Sequence, residues 1–169
     1  MYLGHLGVAL AAKRLGPGVP LVWLCVATVF LDLVDVVVDL LGLDNAFTAW
    51  SHTLMAALAW SALVGAVGWL RQGLAAGLLL GAAALSHLPT DYVTSHLWLW
   101  PDGPRVGLKL YSHPLLDFAV EAAVILAGWW LYRGTLSPRA RTGPFAWGIL
   151  VLLLAFQVVF GVLGVARVP

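Results

Sequence analysis

The sequence predicts an all-α fold: a polytopic membrane helix bundle with about five transmembrane helices and a short N-terminal re-entrant or interfacial helix. Two features of the composition lead to this prediction. Hydrophobic residues make up 62% of the chain and charged residues only 10%, whereas soluble domains average about 45–50% and about 25%. The mean hydropathy is +0.94. The length of 169 residues suits a single integral membrane helical domain, residues 1–169.

The third observation is a series of apolar runs, each near the roughly 20 residues that a bilayer core requires. In chain order the predicted spans are Val19–Leu41, Trp50–Leu70, Gly73–Thr94, Pro114–Tyr132 and Pro144–Val165. A shorter apolar segment, Tyr2–Arg14, precedes them and reaches only partway across a bilayer at about 1.5 Å per residue. Its basic residues follow its apolar part, which is unlike a cleavable signal peptide.

Lys and Arg are distributed unevenly between the two predicted sides of the membrane. One side receives Lys13, Arg14, Arg71, Arg133, Arg139 and Arg141, and the other receives Arg105, Lys109 and Arg167. The positive-inside bias therefore predicts a multi-pass membrane protein with its N-terminus in the cytoplasm and its C-terminus outside. A net charge of +1 leaves no basic patch for nucleic acid, so membrane lipid is the expected partner.

Ionisable side chains recur at one depth of the predicted bundle, in its outer half. Six of the eight acidic residues lie inside predicted spans: Asp32, Asp35, Asp39, Asp91, Asp117 and Glu121. Helical spacing places Asp32 with Asp35, and His87 with Asp91, on common faces. Histidines occur at the same level, because His52 opens the second span and His113 precedes the fourth.

The energetic cost of these acids indicates a ligand. A charged side chain near mid-bilayer costs about 2.5–3.5 kcal/mol, so the acids together would cost on the order of 15 kcal/mol, more than a typical folding stability. No Lys or Arg lies in the same halves of those helices. Protonation or a bound multivalent cation could compensate the charge, and histidines at the same depth favour the cation. Asp and His without cysteine suit one or more ions of zinc or another divalent transition metal.

Some of these residues also have plainer interpretations. His52 could be a polar residue at a helix start, and His113 could be a solvated loop residue. Asp39 lies near a helix end, where it reaches water. His96 follows His87 by nine residues, so it can join a shared site only if the helix ends near Thr94.

The motif order resembles that of the bacterial membrane-bound metal-dependent hydrolase family. The matching stretches are "GHLGVALAAKR", Asp32 in "LDLVDVV", "SHTLMAALAW" and "LSHLPTDYVTSHLWLWP". Members typically show a Gly-His start, a Pro-Asp-x-Asp-His stretch, a Thr-His-Ser and a His-x3-Asp. The resemblance implies metal ligation by His5, Asp32 with Asp35, His52, and His87 with Asp91. The stretch "LDLVDVV" departs from the family pattern, because it has neither Pro nor His.

More remotely, the pattern is similar to the zinc-dependent phospholipase C and P1 nuclease fold. The similar stretches are His87-x3-Asp91-x4-His96 and His113-x3-Asp117-x3-Glu121. This resemblance adds His96 and His113 to the expected metal ligands. It also implies hydrolysis of a phosphoester, or of an acyl ester, in a lipid or amphiphile. A carboxylate that does not bind metal, Glu121 or Asp117, would act as the general base.

Two other functions remain open from the sequence. Intramembrane acids and histidines also mark metal-ion and proton transporters or channels, although the chain shows no inverted repeat. A non-catalytic membrane scaffold with a structural metal is the third possibility. The loop Leu97–Ser112, with Arg105 and Lys109, is expected to lie over the opening of the site, where its cations would hold a lipid phosphate.

Overall fold

The computed structural model describes residues 1, 3–43 and 50–165, with side chains up to residue 161. Arg167, one of the cations predicted to lie outside, is beyond the described residues. The described chain is helical apart from a two-stranded hairpin, which confirms the predicted all-α class. The helices are α1 (Gly4–Leu15), α2 (Leu21–Thr28), α3 (Phe30–Leu40), α4 (Leu54–Gln72), α5 (Leu74–Leu85), α6 (His87–Thr94), α7 (Pro114–Arg133), α8 (Pro138–Thr142) and α9 (Pro144–Val165).

The described chain contains three helices that are long and apolar enough to cross a membrane: α4, α7 and α9, the last over Pro144–Gly161. Helices α2 and α3 form a fourth candidate if they are one broken span, bent by 62°. The predicted count of five spans is not confirmed. Its first span is broken at Val29, and its third is divided at Ser86 into α5 and α6.

Glycines, among them Gly65, Gly77 and Gly81, bring α4 and α5 together as an antiparallel hairpin. A Cβ atom built on Gly77 would lie 2.6 Å from the carbonyl oxygen of Gly65, so a larger residue would push the helices apart. Gly73 has another role. It has a φ of +88° and no atom within 4 Å of a built Cβ, so it makes the turn between the two helices.

Helix α1 runs parallel to α7 along its whole length. A Cβ atom built on Gly128 of α7 would lie 1.9 Å from the carbonyl oxygen of Gly7. Further along the chain, the Arg14 guanidinium lies beside Gly134, just after α7. The other side of α1 packs through Ala9 and Ala12 on α2 and α5. Helix α1 is therefore enclosed by the bundle, and its first turn lies deep within it.

The loop Leu97–Ser112 is more ordered than its Pro- and Gly-rich composition indicates. Strands β1 (Leu97–Trp98) and β2 (Arg105–Val106) pair antiparallel, and a 3₁₀ turn follows at Leu110–Ser112. The hairpin is attached to the bundle by a β-bridge between Thr53 and Trp98. Because Thr53 directly follows His52, this bridge places the loop beside the histidine at the start of α4.

Candidate metal centre

Four segments of the chain bring five predicted ligands together. His5 lies in the first turn of α1, Asp32 in the first turn of α3, and His52 just before the N-cap of α4. His87 and Asp91 lie one turn apart on α6. His5 and His87 are 0% exposed and Asp91 is 4% exposed, whereas the Asp32 side chain is 46% exposed. The cluster is thus largely buried, and Asp32 is its most exposed member.

Four donor atoms converge at nearly equal separations. They are Nε2 of His52, Nε2 of His87, Oδ1 of Asp32 and Oδ2 of Asp91. The two nitrogens lie 3.0 Å apart, and each lies 3.4 Å from the Asp32 oxygen. Their distances to the Asp91 oxygen are 3.3 and 3.1 Å. Ligands placed tetrahedrally around zinc at 2.0–2.2 Å are separated by about 3.3 Å. These five separations therefore match those between ligands of one transition-metal ion.

Hydrogen bonds behind the imidazoles direct their Nε2 atoms to this centre. Nδ1 of His87 lies 2.9 Å from the carbonyl oxygen of Thr28, and Nδ1 of His52 lies 2.8 Å from Oδ2 of Asp35. In the neutral ring, each of these oxygens accepts a hydrogen bond from Nδ1–H. Both Nε2 atoms are then unprotonated and present lone pairs to the centre, which is the usual arrangement of metal-bound histidine.

The break between α2 and α3 supplies one of these acceptors. Thr28 is the last residue of α2, so its carbonyl is among those that a helix end leaves without an intrahelical partner. His87 uses this oxygen. The same break places Asp32 in the first turn of α3, where the positive end of the helix dipole stabilises a carboxylate. The broken span thus contributes to two parts of the site.

His5 faces the second oxygen of Asp91. Its Nε2 lies 3.3 Å from Oδ1 of Asp91, yet this buried nitrogen has no hydrogen-bond partner in the described chain. The Thr90 hydroxyl donates to backbone carbonyls of its own helix and lies 3.1 Å from Nδ1 of His5. Its oxygen therefore accepts a hydrogen bond from Nδ1–H, and Nε2 of His5 presents a lone pair like the other two. The Met1 ammonium also contacts Oδ1 of Asp91, at 2.5 Å.

These atoms form two overlapping groups of potential ligands: His5, His87 and Asp91, and Asp32, His52 and His87. Nε2 of His5, which has no hydrogen-bond partner among the described residues, and the facing Nε2 atoms of His52 and His87 fit a bound cation, because an imidazole lone pair requires a donor or a cation. Within the described part of the chain, no Lys or Arg side chain forms an ion pair with Asp32 or Asp91. Nitrogen and carboxylate donors suit zinc or a similar divalent transition ion.

Asp35, which the resemblance implies as a ligand, lies behind the His52 imidazole and not at the centre. Its carboxylate contacts Nδ1 of His52 and the Ser51 hydroxyl, and it is absent from both ligand groups of the described residues. Spacing does not separate it from Asp32, since side chains at i and i+3 share a face; its contact with Nδ1 of His52, the nitrogen directed away from the centre, places it behind that ligand. Asp35 therefore orients a ligand.

His96 and His113 lie outside the cluster, at exposed positions. Helix α6 ends at Thr94, and the extended backbone at Ser95 leads the chain away into the hairpin. Desolvation and the charges of Lys109 and Arg105 lower the pKa of His96. His113 is the residue before α7, and its backbone N–H bonds the carbonyl of Leu110.

The two predicted base candidates lie on α7, beside the first turn of α1. Glu121 is 0% exposed and accepts a hydrogen bond from the Gly4 N–H at 3.0 Å. Asp117 is 5% exposed, and its Oδ1 has no hydrogen-bond partner in the described chain. Gln157 of α9 accepts from the Leu3 N–H at 3.1 Å. Glu121 and Gln157 thus hold the free N–H groups at the start of α1, next to His5.

Four supporting groups were not identified from the sequence. The Thr28 carbonyl is a backbone group that is free only because α2 ends there, so no side-chain pattern in the sequence predicts it. Ser51 and Thr90 adjoin predicted ligands, and their positions next to His52 and between His87 and Asp91 are a weak signal. Gln157 could have been found as the polar residue inside the very apolar helix α9.

The comparisons with known proteins identify no relative. No family model, no curated protein and no solved structure matches this chain.

Proposed function

We propose that this protein is a membrane-embedded, metal-dependent hydrolase that cleaves a phosphoester, or an acyl ester, in a lipid or amphiphile. The observation that carries the proposal is that Nε2 of His52 and Nε2 of His87 lie 3.0 Å apart and each lies 3.1–3.4 Å from an oxygen of Asp32 and of Asp91. The motif resemblance to membrane-bound metal-dependent hydrolases and to zinc-dependent phospholipase C supports zinc and the phosphoester.

The proposed topology keeps five crossings of the inner membrane. The bent pair α2–α3 and the divided pair α5–α6 each count as one span in this proposal, beside α4, α7 and α9. Helix α1 is a re-entrant helix that begins at the depth of the cluster and ends at Arg14. Its parallel packing on α7 supports this assignment, because α7 also ends in Arg133. The site then opens toward the extracytoplasmic side.

Each residue has a defined task in this proposal. A bound divalent ion supplies Lewis acidity toward a phosphoryl or carbonyl oxygen and lowers the pKa of water. His52, His87, Asp91 and Asp32 hold it, and the half-exposed Asp32 marks the side from which substrate enters. Asp117 is assigned as the general base ahead of Glu121, because it retains a buried oxygen without a hydrogen-bond partner among the described residues.

The hairpin over the site favours an anionic substrate. The Arg105 guanidinium lies 4.0 Å from the centroid of the Trp98 ring, and Trp98 is bridged to Thr53, directly after His52. A cation is thus held near the histidine at the start of α4. A guanidinium is well suited to a phosphate group, so a phosphoester is preferred over an acyl ester.

The test is hydrolysis by the purified protein of two chromogenic amphiphiles with equal acyl chains, one a phosphodiester and one a carboxylic ester. The wild type with its metal is expected to cleave the phosphodiester faster. His87→Ala should abolish cleavage, whereas His96→Ala, an exposed histidine outside the cluster, should not change it. Metal-loaded protein that cleaves neither amphiphile but moves divalent ions or protons in sealed vesicles would establish the transporter alternative.

A further inference from the structure

A second polar site lies at the opposite end of α1 and α7 from the metal cluster. A surface cavity of about 430 Å³ is lined by Arg14, Trp130, Leu131, Arg133, Gly134 and Arg141. Along α1, residues 5 and 14 are separated by about 14 Å at helical rise. The cavity is therefore distinct from the cluster, and the chemistry proposed for the cluster does not involve it.

Three guanidinium groups converge on this cavity without an acidic partner. In the described residues, Arg14, Arg133 and Arg141 form no ion pair with Asp or Glu. Lys13, although adjacent to Arg14, is engaged elsewhere, because its Nζ bonds the carbonyl oxygens of Pro17 and Val19. Three like charges around one cavity repel one another unless an anion lies between them.

The helix dipole and contacts within the chain explain only part of why the three arginines lie around this cavity. Each arginine lies in the last turn of its helix, where a cation gains about 0.3–1 kcal/mol from the helix dipole. Arg141 donates one hydrogen bond to the Gly134 carbonyl at 3.3 Å, and Arg133 lies over the Trp129 ring. A guanidinium has five N–H donors, so most donors around the cavity remain available to a ligand.

The surroundings identify the class of ligand. A guanidinium fork matches the paired oxygens of a phosphate group. Beside the arginines, Trp130 is 66% exposed and Leu131 is 39% exposed, so the charged cavity adjoins an apolar surface. An aromatic residue next to basic residues at helix ends is typical of the membrane interface, and basic cavities there bind lipid headgroups. The ligand thus has an anionic head and an apolar tail.

We propose that Arg14, Arg133 and Arg141 form a binding site for a phosphate group, carried by an anionic membrane phospholipid. The headgroup phosphate binds between the guanidinium groups, and its acyl chains lie along Trp130 and Leu131. Because the site joins the ends of α1, α7 and α8, bound lipid stabilises the contact between them.

The proposal is tested by the melting temperature of the full-length protein in a nonionic detergent. Phosphatidylglycerol, phosphatidylcholine and inorganic phosphate are titrated separately. Phosphatidylglycerol should raise the melting temperature by mass action on the folded state, and phosphatidylcholine should do so weakly. Inorganic phosphate without effect identifies a lipid as the source of the phosphate. An equal effect of inorganic phosphate, lost with the same arginines, keeps the anion site and contradicts the lipid.

Arginine variants distinguish lipid binding at this cavity from a general effect of positive charge on lipid binding. Arg14→Gln/Arg141→Gln should raise the half-maximal phosphatidylglycerol concentration at least about tenfold, the equivalent of 1.4 kcal/mol. Arg139→Gln is the matched control, because Arg139 lies on the same short helix and does not line the cavity. Helical content by circular dichroism and bound metal should be unchanged in both. A double variant that responds like the wild type, or a control that loses as much, would overturn the proposal.

Discussion

The Nε2 atoms of His52 and His87 lie 3.0 Å apart, although the other nitrogen of each ring faces an oxygen acceptor. Nδ1 of His87 faces the Thr28 carbonyl and Nδ1 of His52 faces the Asp35 carboxylate. Two lone pairs at this distance repel each other unless a cation lies between them. The cation is either an additional proton or a metal ion, and the nearby oxygens of Asp32 and Asp91 complete a shell that suits the metal.

Loss of a shared ligand should remove the metal. His87 belongs to both ligand groups, so His87→Ala is expected to reduce bound zinc to a small fraction of the wild-type content and to lower the melting temperature. The measurement is elemental analysis of protein purified without added chelator. His113→Ala, at an exposed histidine outside the cluster, serves as control and should keep its metal. Full metal content in His87→Ala would contradict the site as described.

Asp35 should act through His52. Because its carboxylate orients the imidazole and raises its basicity, Asp35→Asn is expected to weaken metal affinity by about 10–100-fold without abolishing binding. Competition with a chromogenic chelator measures this affinity. Asp39→Asn is the matched control, since Asp39 is an exposed carboxylate on the same helix. Equal loss in the two variants would show that only the net charge of α3 matters.

Glu121 should position α1. In Glu121→Ala the Gly4 N–H loses its acceptor, and an unsatisfied buried N–H costs about 1–3 kcal/mol. The displaced first turn carries His5, so metal affinity should fall with stability. Glu121→Gln keeps an acceptor oxygen and should recover most of both. If the Gln variant instead retains its metal but loses turnover by about 10²–10⁴, Glu121 is the general base.

Asp117 should act as the general base. Asp117→Asn keeps the size of the side chain but removes a base, so turnover of the phosphodiester amphiphile should fall by roughly 10²–10⁴. Metal content and melting temperature should stay close to the wild type, because Asp117 belongs to neither ligand group of the described residues. Loss of metal in this variant would reassign Asp117 as a ligand.

Close packing of α1 on α7 should be intolerant of a single methyl group. A Cβ atom on Gly128 would lie 1.9 Å from the Gly7 carbonyl oxygen, so Gly128→Ala must separate the helices and is expected to cost about 1–3 kcal/mol. Thermal unfolding measures this cost. Gly148→Ala on α9 meets no atom within 4 Å and should be nearly neutral. Similar losses in both variants would contradict the described packing.

The sequence was sufficient for the helical class and for the residues whose spacing is local. His87 and Asp91 share a face because i and i+4 always do on a helix. The roles of Asp35, His96 and Glu121 depend on tertiary structure. Asp35 shares the helix and face of Asp32, so spacing cannot separate a ligand from its orienting neighbour. Neither Gly nor Pro occurs at Val29, so no residue there predicts the bend. The Thr28 carbonyl that the bend frees is likewise not predictable from the sequence.

The arginine cavity also depends on tertiary structure and could not be predicted from the sequence. From the sequence, these three arginines, Arg14, Arg133 and Arg141, are interpreted only as cytoplasmic charges under the positive-inside bias. Their convergence requires α1 and α7 to run in parallel and end together, and that arrangement follows from contacts such as Gly7 with Gly128.

X-ray absorption at the zinc edge of the purified protein tests the central claim most directly, because it reports the donor atoms themselves. The described geometry predicts about one tightly held ion with imidazole scattering from at least two histidines, oxygen at 2.0–2.2 Å and no sulfur. The imidazole signal should disappear in His87→Ala and persist in His96→Ala. Protein that retains no stoichiometric metal, or a metal with oxygen ligands alone, would contradict a site built on His52 and His87.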